Sequence, residues 1–279
     1  MLRTVRWAAL LAMVVLVVAC AGTAATPTEV PLPDPQTLLN KAAAEVRNAR
    51  SVRIKLQLTG APSYVDPPQT PGGPGNTIAF VSADGAYQAP DRVQAKVVAK
   101  ILGLAGEVDV IAIGDDQWMR NKILTADRWI RQIFSPGFNA ARLVSSDQGI
   151  EAALKALKEV KMVGKENVDG VQMYHITGKA SGTDIAALTV GLIRGSDVLA
   201  DIYIVVDTGR VDRVTLVQPD TVTEKEPKPT TWQLEIFDYN ADVQIVSPEA
   251  AATSIATGAA TLPATGQPTG AATEATAAP

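Results

Sequence analysis

The chain has 279 residues, with 25 Lys and Arg against 29 Asp and Glu, one Cys, one His and 5% aromatic residues. This charge balance excludes a basic nucleic-acid binder, and a single Cys with a single His builds neither a disulfide framework nor a Cys/His zinc site. The 47% hydrophobic fraction supports a sizeable core, with about 215 residues left for folded structure once an N-terminal leader and an Ala-rich tail are set apart.

The chain opens with Arg3 and Arg6 and no acid, followed by the apolar run Trp7 to Ala19. That run is too short to span a hydrocarbon core but suits the apolar centre of an export signal. Val17-Val18-Ala19-Cys20 matches a bacterial lipobox, with Val at a position where Leu is commoner. Residues 1–19 therefore read as a lipoprotein signal peptide and Cys20 as the lipidation site, the alternative being an ordinary signal peptide with an incidental Cys. Two or three acyl chains on Cys20 anchor stably where one binds only marginally. Loss of the leader leaves 23 basic against 29 acidic side chains, so the domain as a whole has no electrostatic attraction to anionic headgroups, and the acyl group must hold it. Residues 20–33 are rich in Ala, Thr and Pro and read as a flexible tether with a reach of roughly 20 Å.

A folded domain is expected over residues 34–249. Leu38, Leu39, Ala42, Val46 and Ala49 follow at helical spacing, with Asp34 as N-cap and Pro35 in the first turn. Strand alternation comes next: Ile54, Leu56 and Leu58 oppose Arg53, Lys55 and Gln57, and Val93, Ala95, Val97, Ala99 and Ile101 oppose Arg92, Gln94, Lys96 and Lys100. Further strands are expected at 77–82, 85–88, 107–113, 117–120, 128–132, 171–178, 200–206, 211–218 and 231–246. Turn signals lie at Ala83-Asp84-Gly85, Gly114-Asp115-Asp116, Val168-Asp169-Gly170 and Asp207-Thr208-Gly209. Helical faces are predicted from Ile150, Ala153, Leu154 and Leu157, from Ile185, Leu188 and Leu192, and near 136–144. Residues 60–76, rich in Pro and Gly, form a long loop read as an insertion, with a lid as the alternative. Residues 250–279 are almost entirely Ala, Thr, Gly and Pro and read as a disordered tail. The LPATG in this tail, Leu262 to Gly266, matches a sortase motif, but the apolar span and basic end of a sorting signal do not follow it. Helix, antiparallel strands, helices and strands again predict an α+β fold, a large curved antiparallel sheet packed on a few helices.

No catalytic constellation emerges. His175 sits in an alternating strand with no Ser, Cys or metal-ligand pattern beside it, and Asp115 and Asp116 belong to a hairpin turn. There is no phosphate loop, dinucleotide fingerprint, nucleophile elbow or calcium loop. The reading is of a non-enzyme without cofactor or metal.

Several segments together carry a resemblance: Ser51 to Leu56, Val108 to Arg120 with Trp129 shortly after, Ile133 to Val144, Glu166 to Gly178, Ala200 to Leu216, and Asp238 to Glu249. In this order, downstream of a lipobox, they resemble the mycobacterial-type lipoprotein family of LppX, LprA, LprF and LprG, whose fold is LolA-like. The resemblance implies a half-barrel sheet over helices and a hydrophobic cavity for the acyl chains of a lipid or glycolipid, carried between the membrane and an envelope acceptor, with an envelope transport protein as a further partner. The candidate cavity residues are Ile54, Leu56, Leu58, Val93, Val97, Ile101, Leu154, Leu157, Leu188 and Leu192. From the residues alone the same side chains equally suit a solid core, and the chain would then be a tethered scaffold that binds another envelope protein.

Overall fold

The computed structural model describes residues 31–65, 78–101, 103–133, 138–145, 149–186, 189, 192–193 and 197–251. Residues 1–33 and 34–279 form separate units, and all the described strands belong to the second.

Helix α1, Pro35–Asn48, starts as its sequence dictates: the Asp34 carboxylate accepts the Thr37 amide at 2.7 Å, and Pro35 occupies the first turn, where no amide is needed. Its buried face is Leu38, Leu39, Ala42, Ala43 and Val46. The chain then runs into β1 (Ser51–Thr59), β2 (Ile78–Gln88), β3 (Arg92–Ile101), β4 (Leu104–Ile113), β5 (Asp116–Arg120) and the short β6 (Ile130–Arg131). A 3-10 turn, Ala140–Val144, and helix α2, Ile150–Lys155, lead to β7 (Lys158–Val168) and β8 (Val171–Ser181). The one-turn helix α3 (Gly182–Ile185), β9 (Asp197–Val205), β10 (Val211–Gln218), a second 3-10 turn (Pro219–Thr221) and β11 (Thr230–Phe237) follow.

All eleven strands join one antiparallel sheet in the order β6-β5-β4-β3-β2-β1-β11-β10-β9-β8-β7. Every neighbouring pair is consecutive in the chain except β1 and β11. Their pairing, Arg53 to Phe237 through Thr59 to Thr231, joins a meander of β1 to β6 to a meander of β7 to β11. The fold is α+β, a large open antiparallel sheet with few helices.

One face of the sheet carries the main core. Leu39, Val46, Leu154, Ile176, Ile202, Ile204, Trp232 and Ile236 belong to a single buried cluster. Phe80 stacks on Trp232 at 5.4 Å between ring centroids, and the Trp232 indole donates to Gln218 Oε1 at 3.0 Å, so the buried ring keeps its polar partner. Glu151, only 3% exposed, accepts from Arg47 at 2.9 Å and from Lys155 at 2.6 Å, which ties α2 to the last turn of α1.

The other face has a smaller core built by the chain after β11. Residues 238–247 lie across it. Ser51 Oγ donates to the Ala241 carbonyl, Ile245 N donates to Gln88 Oε1, and Arg92 donates to the Ile245 carbonyl at 2.6 Å. Beneath this strap Ile245 packs with Ile111 and Trp118, flanked by Ala86, Ile113, Trp129 and Val243.

Four local expectations change. Ala83-Asp84-Gly85 is no turn: β2 runs unbroken through it, because β1 and β3 pair with it on both sides. At Gly85 a Cβ would lie 2.4 Å from the Gln94 carbonyl oxygen, so glycine is required for close approach to β3 rather than for a bend. Lys158–Val168 is an eleven-residue strand that the periodicity concealed, since two register shifts break its pairing with β8. The last strand stops at Phe237, and the segment that follows becomes the strap. The turn at Ala140–Val144 is 3-10 rather than α, and residues 134–137, where its helix was expected to begin, lie outside the described residues.

Candidate functional site

The face bearing α1 differs sharply between its two halves. Under the helices, Ile176, Val198, Ala200, Ile202, Ile204, Trp232 and Ile236 are at most 2% exposed. On the β1 to β5 side, the same face is apolar; Val52, Phe80, Tyr87 and Ala112 are buried in it, and its other residues are only half-buried. Alternation puts Val52, Ile54, Leu56 and Leu58 of β1 there, with Ala83, Gly85 and Tyr87 of β2, Val93, Ala95, Val97 and Ala99 of β3, and Gly106, Val108, Val110 and Ala112 of β4. None of these is charged. Arg53, Asp84, Gln94, Lys96, Lys100, Glu107 and Asp109 all point to the opposite face, because side chains alternate along a strand.

Register arranges the inner side chains in rows across the strands. Ile236, Ile54, Gly85, Ala95, Val110 and Met119 form one row, and Leu234, Leu56, Ala83, Val97 and Val108 form the next. Ala99 and Gly106 pair at the far end. The small residues Ala83, Gly85, Ala95, Ala99 and Gly106 therefore lower the floor between β1 and β4, across three strand spacings or about 14 Å. On one flank stand Ile54, Leu56 and Leu58, and on the other Val108, Val110 and Met119. The result is a shallow apolar trough with half-buried walls. The 3-10 turn Ala140–Val144 lies against β3, and its Leu143 and Val144 pack on the main core.

Among the candidate cavity residues, Ile54, Leu56, Leu58, Val93 and Val97 lie in this trough, and Leu192 packs on the same core from the segment after α3. Leu154 and Leu157 are buried in the closed core, at 5% and 9% exposure. Ile101 is 39% exposed at the end of β3. Leu188 and Cys20 lie outside the described residues. Sequence reasoning passed over the small residues and the second wall, Val108, Val110 and Met119, although the alternation of β4 was legible.

An open hollow of about 340 Å³ lies on the opposite face, lined by Arg92, Ile113, Asp116, Trp118, Val246, Ser247 and Ala250. Its charged rim and its place beside the strap make it unlike a site for hydrocarbon.

His175 faces outward from β8. Nδ1 lies 2.7 Å from Glu166 Oε1 of β7 and Nε2 lies 2.8 Å from Asp201 Oδ1 of β9, while the ring stacks on Tyr203 at 4.5 Å. Burial disfavours the charged ring, but the hydrogen bonds to Asp201 and Glu166 outweigh it, and the pKa is raised above the ordinary imidazole value. When protonated, the ring ties three strands together through two carboxylates. No group of three or more His, Cys, Asp or Glu side chains among the described residues is arranged to hold a metal ion, nor is any helix there long and apolar enough to cross a membrane.

The profile of the LppX_LprAFG lipoprotein family matches residues 34–245, most of the chain. The chain belongs to this family. Among solved structures, LprF from Mycobacterium bovis is similar with a TM-score of 0.56 at 14% identity, covering 78% of this chain and 98% of LprF. Lipoprotein LppX from Mycobacterium tuberculosis is similar with a TM-score of 0.50 at 20% identity, covering 77% of this chain and all of LppX. These likenesses show the LppX-type fold. No match to a curated protein sequence was found. Within the LppX_LprAFG fold, the trough sits on the N-terminal meander and the helices cover the C-terminal one.

Proposed function

We propose that this LppX_LprAFG protein is a membrane-anchored envelope lipoprotein that shelters the acyl chains of a lipid or glycolipid against the β1 to β4 trough. It carries them between the membrane and an envelope acceptor and performs no catalysis. The observation that supports this reading most is the asymmetry of the inner face. Helices close one half of a continuous apolar surface, while the other half, free of charge and floored with small residues, is left partly open. A domain that needed only a solid core gains nothing from leaving those side chains part-exposed. Membership of a lipoprotein family supports a place in the cell envelope and supports Cys20 as the anchor.

The energetics suit a carrier. Burial of each methylene is worth about 0.8 kcal/mol, so a long acyl chain gains roughly 10 kcal/mol relative to water before ordering costs. Relative to a bilayer interior the gain is close to zero, so lipid can be taken up and released again.

The test is native mass spectrometry together with organic-solvent extraction of the protein purified from a lipid-containing host. Stoichiometric lipid is expected, and it should fall at least several-fold in Leu56→Trp and Val97→Trp, which fill the trough. A folded chain that carries no lipid would refute the carrier reading and leave a scaffold that binds another envelope protein.

A further inference from the structure

Two neighbouring tips at one end of the sheet hold aliphatic side chains in water. The β3 to β4 hairpin presents Ile101 at 39% and Leu104 at 78% exposure, and the loop after β5 presents Ile123 at 89% and Leu124 at 65%. The loop is bound to the hairpin, since Asn121 Nδ2 donates to the Glu107 carbonyl at 2.6 Å, three residues along β4 from Leu104.

This second loop is built to hold its shape. Asn121 and Thr125 are buried, at 9% and 6% exposure. The Asn121 side chain accepts both the Ile123 and Leu124 amides at 2.8 Å, and Thr125 Oγ1 accepts the Asn121 amide and donates to its carbonyl. Ala126 and Asp127 both take the left-handed conformation, at φ 49° and 60°, which non-glycine residues rarely adopt. Buried polar groups and strained backbone thus support a turn whose two most prominent side chains are greasy. Contiguous exposed apolar groups of this kind mark a surface that meets something.

Local charge says what. The nearby acids are compensated: Glu107 pairs with Lys96 at 3.3 Å, and Asp127 lies 3.8 Å from Arg120. Lys100, Lys122 and Arg128 flank the apolar tips, are exposed, and have no ion-pair partner among the described residues. A chain with net charge −4 therefore carries uncompensated positive charge at this end. Aliphatic tips backed by free cations match a bilayer surface, where the tips enter the acyl boundary and the cations stay at anionic headgroups.

We propose that the paired tips, one bearing Ile101 and Leu104 and the other Ile123 and Leu124, are a membrane-insertion edge that seats the domain on anionic lipid. This contact is independent of the acyl anchor and of any lipid in the trough.

The test uses the full-length chain with Cys20→Ser, so that one introduced thiol carries an environment-sensitive nitrobenzoxadiazole label. One protein is labelled at Leu124→Cys and another at Asp207→Cys, in the β9 to β10 turn at the opposite end of the sheet. Each is bound to vesicles of phosphatidylcholine containing about one-third phosphatidylglycerol. The label at position 124 should shift to the blue and brighten about threefold, while the label at 207 stays in water. The shift should vanish with Leu104→Asp plus Ile123→Asp, and Lys100→Glu plus Lys122→Glu should weaken vesicle binding about tenfold. These positions are exposed, so the variants should fold, with circular dichroism as the check. The proposal is overturned if label 124 stays water-like on vesicles that hold the chain, or if both labels shift alike. It is equally overturned by a blue shift without vesicles that grows with protein concentration, which would assign the tips to a second copy.

Discussion

His175 shows how a residue without catalytic company still shapes the molecule. Its ring is 12% exposed and sits between carboxylates from the two flanking strands. Its pKa is raised in the folded chain. The stabilisation is therefore complete below the ordinary imidazole range and is lost as pH rises through the higher folded-state value. His175→Gln is expected to cost about 2 kcal/mol at pH 5, the scale of charge-assisted hydrogen bonds, and distinctly less at pH 9. Thermal unfolding of both proteins across that range checks the sign, and a penalty that grew with pH would contradict the bridge. The strand position of His175 was legible from the alternation of VQMYHITG. Its partners were not: Glu166 lies on a strand that the periodicity hid, and Asp201 is 26 residues away, where no local spacing points.

At the scale of elements, helix α1 and the exact span of β10 were readable because cap, proline and alternation agree locally. Gly85 was misread because glycine after aspartate signals a turn equally well whether the chain bends or a neighbour approaches. Gly85→Val should therefore destabilise by about 3 kcal/mol through collision with β3, seen as a lower urea midpoint. An ordinary exposed turn would tolerate the change. The strap was beyond sequence reasoning for a similar reason, since Val243 and Ile245 alternate with polar residues as a strand would, although β11 has ended at Phe237 and the two side chains pack on the outer face. Ile245→Ala should cost about 3 kcal/mol. It should also move the tryptophan emission to the red as Trp118, whose indole donates to Glu249 Oε1 at 2.9 Å, becomes wetter.

For the whole molecule, composition and strand count were enough to read an α+β sheet protein, and the ordered segments carried the family. What they could not supply was which half of the inner face the helices cover. That depends on long-range packing of α1 against α2, β7 and β10. Ala95→Phe, at the floor of the trough and away from the closed core, should leave the melting temperature within a few degrees while reducing bound lipid several-fold. Loss of folding instead would mean that Ala95 faces packed neighbours rather than open space. One consequence of the strand order concerns the birth of the fold. The first strand is the middle of the sheet, and its second neighbour is the last strand, with Arg53 opposite Phe237. Closing that pair joins positions from opposite ends of the domain, so the loop-closure cost comes before the reward, and such topologies fold slowly. A ribosome or translocation pore that has released everything but β11 still holds two unjoined ribbons, and the chain remains threadable until almost its final segment has emerged.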